Sequence, residues 1–306
     1  MADAKAEVSV DGIVPGLIAY LMWGFLPVYF KLTQHVAAAE VLAHRIVWAV
    51  PFGALILYVR RQWPEVRQAV ATPRVLFWLF MAALFIAVNW YVYIFAVQQG
   101  QVYQASLGYY INPLMYVLVG VAFLGERLRR LQVVSLVLAA LGVLILTVSY
   151  GQLPWIALVL GFSFTCYGVI RKQVAVGAMP GLFIETVILV PLAAGWLAWH
   201  VAEGQASFLA GSLGNDLLLI VAGPLTVVPL VCFAIAAKKL TLTAIGFMQF
   251  IAPTLQFSVG LAYGEVLTTA HLVCFVCIWT AVGLFSYDVV RANRRRKLAR
   301  VAASKP

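Results

Sequence analysis

The chain has 306 residues, of which 64% are apolar and only 10% are charged. Soluble domains carry about a quarter charged residues, so this composition excludes an ordinary soluble protein and predicts an integral membrane protein whose first partner is the lipid bilayer. The formal net charge of +10 does not predict a nucleic-acid partner, because the basic residues fall in short loops between apolar segments, as they do on one side of a membrane.

The N-terminal segment, residues 1–11, is polar and mixed in charge. It lacks the basic start and the cleavage site of a secretory signal peptide, so we predict that the first apolar segment is retained. Residues 1–11 are accordingly predicted to form a cytoplasmic tail.

Ten apolar runs of roughly 20 residues follow, and each is long enough to cross the hydrocarbon core as an α-helix. The predicted spans cover residues 13–32, 41–59, 75–97, 103–124, 131–149, 153–171, 179–200, 215–237, 241–262 and 268–290. The connections between them are too short to hold a soluble domain. The predicted fold class is therefore an all-α integral membrane protein with ten transmembrane helices.

The distribution of Lys and Arg predicts the orientation of these helices in the membrane. If the N-terminus lies in the cytoplasm, all but two of the 21 Lys and Arg residues fall at the cytoplasmic face. The two exceptions are Lys31 and Arg45, near the outer ends of the first and second spans. The basic tail, residues 291–306, is then cytoplasmic as well.

Several features of the first half of the chain return 140 residues later. Pro51 and Pro113 correspond in this way to Pro191 and Pro253, and similar residues surround each pair. A constant offset over most of a chain indicates two copies of one structural unit.

The repeated unit divides the chain into residues 12–150 and 151–290, with five predicted spans in each. Because five is an odd number, the second unit must enter the membrane from the opposite side. Such inverted repeats are typical of secondary transporters that open alternately to the two sides of the membrane.

Short motifs add a family resemblance. They are Trp23-Gly24-Phe25-Leu26-Pro27 followed by Lys31, Glu40…His44-Arg45, Asn89-Trp90, Gly108-Tyr109-Tyr110-Ile111-Asn112-Pro113 and Gly125-Glu126. With the two five-span units, they make residues 12–290 resemble the RarD-type permeases of the EamA family, within the drug/metabolite transporter superfamily. In the second half the His-Arg and Asn-Pro pairs are not repeated. The resemblance implies a permease of the bacterial cytoplasmic (inner) membrane that moves a drug or metabolite, usually by efflux, and it does not fix the substrate.

Counting inward along the helices places several amide and aromatic side chains near the middle of the membrane. The candidate substrate-binding residues are Trp23, Asn89, Trp90, Tyr93, Tyr109, Asn112, Tyr116 and Gln249. Polar groups at this depth are costly unless they face one another or water, so one hypothesis is a wet cavity that holds a small-molecule substrate. The alternative is that the amides only join neighbouring helices by hydrogen bonds.

Four ionisable side chains within the spans are candidates for a gate or a charge relay. Lys31, His44 and Arg45 lie near the outer ends of the first two spans, and Glu185 lies inside the seventh. The alternative for the outer group is that the side chains reach back toward water, with Glu40 contacting His44. Glu185 either carries a coupled proton or pairs with a base on the cytoplasmic side.

Arg45 and Glu185 occupy equivalent positions in the two units, but inverted topology places them in opposite halves of the membrane. We therefore predict that they belong to opposite gates and do not form an ion pair. Pro113 and Pro253, at matched depth, are the predicted hinges, because a proline inside a helix removes a hydrogen bond and kinks the helix.

Enzyme and pump motifs are missing from the sequence. It contains no phosphate-binding GxxxxGK[ST] loop, no HExxH and no GxSxG. Cys274 and Cys277 form a CxxC inside an apolar span, without a second pair, which predicts packing and no metal site. No cofactor is expected.

The function predicted from the sequence is a secondary transporter that works by alternating access and is driven by the proton gradient. The alternative is a membrane-embedded enzyme that acts on a lipid-linked substrate. The sequence leaves open whether two copies form a homodimer.

Overall fold

A computed structural model of the chain describes residues 10–124, 129–151, 153–239 and 248–303. Within these ranges the regular secondary structure is entirely α-helical. The helices are α1 (Val10–Leu32), α2 (Ala38–Val59), α3 (Trp63–Val70), α4 (Pro73–Gln98), α5 (Val102–Leu124), α6 (Arg130–Tyr150), α7 (Trp155–Gln173), α8 (Ala178–Ala202), α9 (Leu213–Lys239), α10 (Ile251–Ala262) and α11 (Thr269–Ala303).

Seven of the described helices are long and apolar enough to cross a membrane, and α7 and α10 contain shorter apolar segments. The prediction of an all-helical, multi-pass membrane protein is therefore confirmed. A described helix lies over each predicted span, although residues 240–247, which open the ninth, fall outside the described part of the chain.

Two helical features were not predicted. The short helix α3 lies in the loop between the second and third spans, with Val66 and Ala69 buried and its remaining positions half-buried or exposed. Its single buried stripe is too short to stand out in a search for membrane spans. Helix α11 continues beyond residue 290 to Ala303, because the Arg-, Lys- and Ala-rich sequence of residues 291–303 favours a helix and contains no glycine or proline.

The helices pack mainly against partners from the other half of the chain. α1 contacts α9 and α10, α2 contacts α8 and α9, α4 contacts α7, α5 contacts α7 and α10, and α6 contacts α11. Small residues permit the closest approaches, as is usual between membrane helices. A Cβ atom at Gly108 of α5 would lie 2.9 Å from the carbonyl oxygen of Ala157 of α7.

Loops that were predicted to share a side of the membrane meet at the same end of the bundle. At the end that holds loops 33–37, 99–101, 203–212 and 263–268, here called the outer end, Glu265 accepts hydrogen bonds from the amides of Val102 and Tyr103 at 2.6 and 3.0 Å. At the opposite, inner end, Arg129 forms an ion pair with Asp288 at 2.6 Å.

Candidate functional site

A buried guanidinium lies between the two halves of the bundle. Arg45 of α2 is only 5% exposed, and its Nε donates a hydrogen bond of 2.7 Å to the hydroxyl of Thr226 on α9. Its Cζ lies 4.3 Å from the ring centroid of Trp90 on α4 and 5.9 Å from that of Phe30 on α1. The interpretation that Arg45 reaches back to the water is wrong, because its charged group points into the helix bundle.

Three tyrosines lie near this guanidinium. Tyr109, Tyr29 and Tyr93 are the titratable groups that interact electrostatically with Arg45. The rings of Tyr93 and Tyr109 lie 5.6 Å apart, and Tyr93 also contacts Phe30 at 5.8 Å. The predicted residues Trp90, Tyr93, Tyr109 and Arg45 are therefore brought together by three helices.

Asn89 links three helices through its side chain. Its Nδ2 donates to the hydroxyl of Ser163 and to the carbonyl of Leu160, both on α7, at 3.1 and 3.0 Å. Its Oδ1 accepts a hydrogen bond from the hydroxyl of Tyr109 on α5. Asn89 is 1% exposed and well supplied with protein partners, which favours the alternative that this amide joins helices.

Two buried polar groups near this network lack partners among the described residues. Asn112 of α5 is fully buried, and neither its Nδ2 nor its Oδ1 makes a hydrogen bond. The hydroxyl of Tyr93, a residue that is 3% exposed, is also unpartnered. Buried polar groups in native proteins are nearly always satisfied, so each of these needs an explanation. The side chains of Tyr116 and Pro113 lie outside the described part of the structure.

The α1–α10 contact contains the predicted Trp23 together with a residue that was not predicted. The carbonyl of Trp23 accepts a hydrogen bond from Nε2 of Gln256 at 3.1 Å. The predicted Gln249 is half-buried and lies in the turn that precedes α10. Gln256, seven residues later, lies in α10 itself.

Pro253 lies in the first turn of α10, and its carbonyl accepts a hydrogen bond of 2.7 Å from the hydroxyl of Ser106 on α5. The ring of a proline clashes with the carbonyl four residues before it, which here belongs to Gln249 in the turn. Because Gln249 lies before the helix, the proline ring breaks no hydrogen bond of α10, and the hinge at Pro253 stays a prediction.

At the outer end, Lys31 lies close to the loop that connects α10 and α11. Its Nζ is 5.7 Å from the ring centroid of Tyr263, and its charge acts on Glu265. Burial raises the pKa of the Glu265 carboxyl, while the amides of Tyr103 and Val102 and the charge of Lys31 act in the opposite direction.

His44 belongs to a separate outer group around Glu40. His44 Nε2 lies 4.0 Å from the carboxylate of Glu40, as the i, i+4 spacing predicted, and His200 lies 3.9 Å from the same carboxylate. Glu40 also accepts hydrogen bonds from the amide and hydroxyl of Ser207 at 2.7 and 2.9 Å. These contacts attach the loop before α9 to α2. His44 and Lys31 therefore take part in contacts of the outer end, whereas the side chain of Arg45 lies among the helices.

Glu185 is 1% exposed and has partners on its own side of the bundle. Its Oε1 lies 3.4 Å from Nε of Arg171, and its Oε2 accepts a hydrogen bond from the hydroxyl of Tyr167 at 3.3 Å. Arg171 also donates to the carbonyl of Gly177. No ion pair joins Glu185 to Arg45 in the described ranges. Its contact with Arg171 is instead the ion pair with a basic residue that the sequence analysis gave as the alternative.

Sequence reasoning missed several partners. Thr226 is a single polar residue in an apolar run, Gln256 lies between Thr254 and Ser258, and Arg171 was counted only among the basic residues at the cytoplasmic face. The sequence signal that could have identified Thr226 is its place between Pro224 and Pro229 of α9. Prolines inside a helix leave backbone carbonyls without their usual partners, and a polar side chain between two prolines is a candidate for a functional contact.

Comparison with known proteins identifies the family. The sequence model of the EamA-like transporter family matches residues 11–148. The RarD protein of Salmonella typhi is 42% identical over 296 residues, which cover 96% of this chain and 100% of that protein. The chain belongs to the RarD-type permeases of the EamA family.

Other members are similarly close. A protein of Pseudomonas aeruginosa that is named an uncharacterized transporter is 44% identical to this RarD-type chain over 289 residues, covering 93% of this chain and 96% of the relative. One solved crystal structure shares the fold with a TM-score of 0.59 at 19% identity, covering 89% of this chain and 96% of the other. The resemblance inferred from the motifs is thereby confirmed.

Proposed function

We propose that this chain is a secondary transporter that moves a small metabolite or drug-like solute across the bacterial cytoplasmic membrane by alternating access, in the direction of efflux. The relatives that are named transporters support the general class. The observation that carries the proposal is a set of buried polar groups with too few protein partners, Arg45, Tyr93 and Asn112, inside a membrane bundle. Polar groups in such a position mark substrate pathways.

The pattern of helix contacts supports two inverted five-helix repeats and ten transmembrane helices. If α1, α2, α4, α5 and α6 correspond to α7, α8, α9, α10 and α11, the contact of α1 with α9 has its counterpart in α7 with α4. The contact of α5 with α7 likewise has its counterpart in α10 with α1. The contact of α2 with α9 has a weaker counterpart in α8 with α4. The remaining strong contacts, α2 with α8, α5 with α10 and α6 with α11, join corresponding helices, as a two-fold relation allows.

The outer and inner contacts suggest where the two gates lie. The contacts of Glu265 and Glu40 close the outer end, and the ion pairs of Arg129 with Asp288 and of Arg171 with Glu185 close the inner end. Alternating access requires that these sets open in turn. We propose that both termini are cytoplasmic, as the distribution of Lys and Arg predicts.

The alternative, an enzyme acting on a lipid-linked substrate, finds little support in the outer acid group. The carboxylate of Glu40 is engaged by the amide and hydroxyl of Ser207 and is flanked by two histidines, so it holds a loop. A catalytic acid or base needs a free path to its substrate.

Metabolite profiles of cells with and without the gene should reveal a solute that accumulates inside cells that lack it. The same solute should cross the membrane of proteoliposomes that contain the purified protein, faster when a pH gradient is imposed. If no solute moves and the protein instead turns over a lipid-linked substrate in detergent, the enzyme alternative is correct.

A further inference from the structure

We propose that Arg45 binds the anionic group of the transported solute, and that this solute is a small organic monocarboxylate with a planar apolar body. This inference rests on the proposed transport function and names the class of substrate. Its basis is the juxtaposition of a buried guanidinium, a buried unpartnered hydroxyl and a wall of aromatic rings.

The charge of Arg45 is not balanced by a carboxylate. In the described ranges no acidic oxygen lies within 4.0 Å of its nitrogens. The buried and half-buried acidic side chains bind other groups, and these residues are Glu40, Glu65, Glu185, Asp216, Glu265 and Asp288. A buried charge without a partner is strongly unfavourable, so a counter-anion from outside the protein fits this position.

The hydrogen bond to Thr226 fixes the guanidinium and leaves its other edge available. Thr226 accepts from Nε of Arg45 and donates its own proton to the carbonyl of Ala222 at 2.8 Å. The two terminal nitrogens of Arg45 then present N–H groups that have no hydrogen-bond partner among the described residues. Two parallel N–H donors match the two oxygens of a carboxylate.

Aromatic rings hold the charge while the site is empty and provide an apolar wall for the solute. The face of Trp90 lies 4.3 Å from Cζ of Arg45, within the range of a cation–π interaction. The hydroxyl of Tyr93, a residue near enough to Arg45 to interact with it electrostatically, is buried without a partner in the described structure and is a further donor for the anion. Aromatic surfaces of this kind favour a planar apolar body over a sugar-like one.

The single positive charge favours a monoanion. A carboxylate and one guanidinium form a neutral pair, whereas a phosphate dianion would leave a buried negative charge. Inorganic phosphate therefore serves as the control anion, and we expect it to bind more weakly than a carboxylate.

Binding can be measured by calorimetry on the full-length protein in nanodiscs of neutral phosphatidylcholine, which removes anionic lipid headgroups as competitors. The probes are benzoate, phenylacetate and indole-3-acetate, each compared with its neutral amide and with inorganic phosphate. At least one carboxylate should bind saturably and at least tenfold more tightly than its amide. If none of the three does so, or if phosphate binds equally well, the proposal is wrong.

Substitutions at Arg45 then test which residue supplies the charge. Arg45→Gln should weaken binding of the carboxylate by at least tenfold, and Arg45→Lys should restore only part of it, because a lysine lacks the two-pronged geometry. Arg67→Gln, on the exposed face of α3, is the matched control and should leave binding unchanged. Unchanged affinity in a monodisperse Arg45→Gln protein would refute the assignment.

Tyr93→Phe keeps the test informative if the Arg45 variants fail to fold. The tyrosine hydroxyl has no described partner, so its removal should not lower the thermal midpoint, yet it should weaken carboxylate binding severalfold. Tyr91→Phe, a partly exposed position on the same helix, is the control. Equal affinity in both variants would remove Tyr93 from the site.

Failure of this inference can be told apart from failure of the transport function. Binding that depends on Arg45, without movement of the same radiolabelled carboxylate in proteoliposomes, would support the site and contradict the transporter. Transport of a neutral solute that is unaffected by Arg45→Gln would support the transporter and overturn the carboxylate site.

Discussion

The hydroxyl of Tyr109 donates a hydrogen bond of 3.0 Å to the side-chain oxygen of Asn89, whose amide nitrogen in turn reaches Ser163. One amide thus connects α5, α4 and α7. The three helices come from both halves of the chain, so this link contributes to holding the halves together.

Asn89→Ala should therefore destabilise the protein. It removes the acceptor of Tyr109 and leaves a buried hydroxyl unpaired, which costs about 1–3 kcal/mol. Thermal unfolding in detergent should show a lower midpoint, and transport should fall in step with the yield of folded protein. Normal yield with lost transport would instead assign Asn89 to the substrate.

Asn112→Leu should have the opposite pattern. The leucine has a similar shape, and it replaces an amide that has no hydrogen-bond partner among the described residues. Its thermal midpoint should be equal to or above that of the unchanged protein, because a buried unsatisfied amide is unfavourable. Transport should be lost. A variant that is both more stable and fully active would exclude Asn112 from the solute pathway.

The pair of Arg171 and Glu185 predicts a clear result in a double-mutant cycle. Glu185→Leu alone leaves a largely buried guanidinium without its carboxylate and should cost about 3–5 kcal/mol. The double variant with Arg171→Leu should recover most of this loss. Additive effects in thermal unfolding would show that the pair is not coupled, and loss of pH-driven transport in the stable double variant would support a proton-coupling role for Glu185.

Stability near pH 5 should depend on Glu265. Because burial raises its pKa above the value in an unfolded chain, the native state holds this proton more tightly, and its contribution is largest at low pH. The contribution is lost as the pH rises through the pKa of the folded protein. Relative to Glu265→Gln, the unchanged protein should therefore lose stability as the pH rises from about 4.5, near the ordinary glutamate pKa. A pH-independent difference would contradict this.

The sidedness of the bundle can be tested with reporters and thiol reagents. A reporter that is active only outside the cytoplasm should be active after Gln99 and silent after Arg130. An impermeant thiol reagent should modify Tyr263→Cys, at an exposed position of the outer loop 263–268, only from outside, and Arg67→Cys, on the exposed face of α3, only from inside. The reverse pattern would overturn the inverted-repeat proposal.

The predicted hinge at Pro113 should influence which side of the transporter is open. Pro113→Ala should straighten α5 and shift the population toward one facing state, since an alanine restores the backbone hydrogen bond. Cysteine accessibility on the two sides of the mid-membrane region measures this shift. Identical accessibility with and without the proline would contradict a hinge at this position.

The fold was largely predictable because apolar length and basic loops obey strong physical constraints. A span needs about 20 apolar residues, and each predicted span has a described helix over at least part of it. The helix α3 was missed because it does not cross the membrane, so its sequence does not need a run of about 20 apolar residues. The extension of α11 was missed because its sequence is helix-forming without being apolar.

The site was harder to predict because depth along a helix does not determine direction around it. Arg45 is near a span end, and sequence alone did not distinguish exposure at the interface from burial against Trp90. Gln249 was selected by its depth along the ninth predicted span, whereas Gln256 has the helical contact with α1. Such distinctions depend on which helix lies opposite, and this is a property of tertiary packing.

The carboxylate of Glu265 binds the backbone amides at positions 102 and 103. Every amino acid except proline supplies an amide N–H, so substitutions at these two positions can accumulate over evolution without breaking the contact. The carboxylate has no such redundancy. For this pair of hydrogen bonds mutational tolerance should therefore be one-sided. Changes at positions 102 and 103 are limited only by the packing of their buried side chains, whereas residue 265 is restricted to a side chain that can accept two hydrogen bonds.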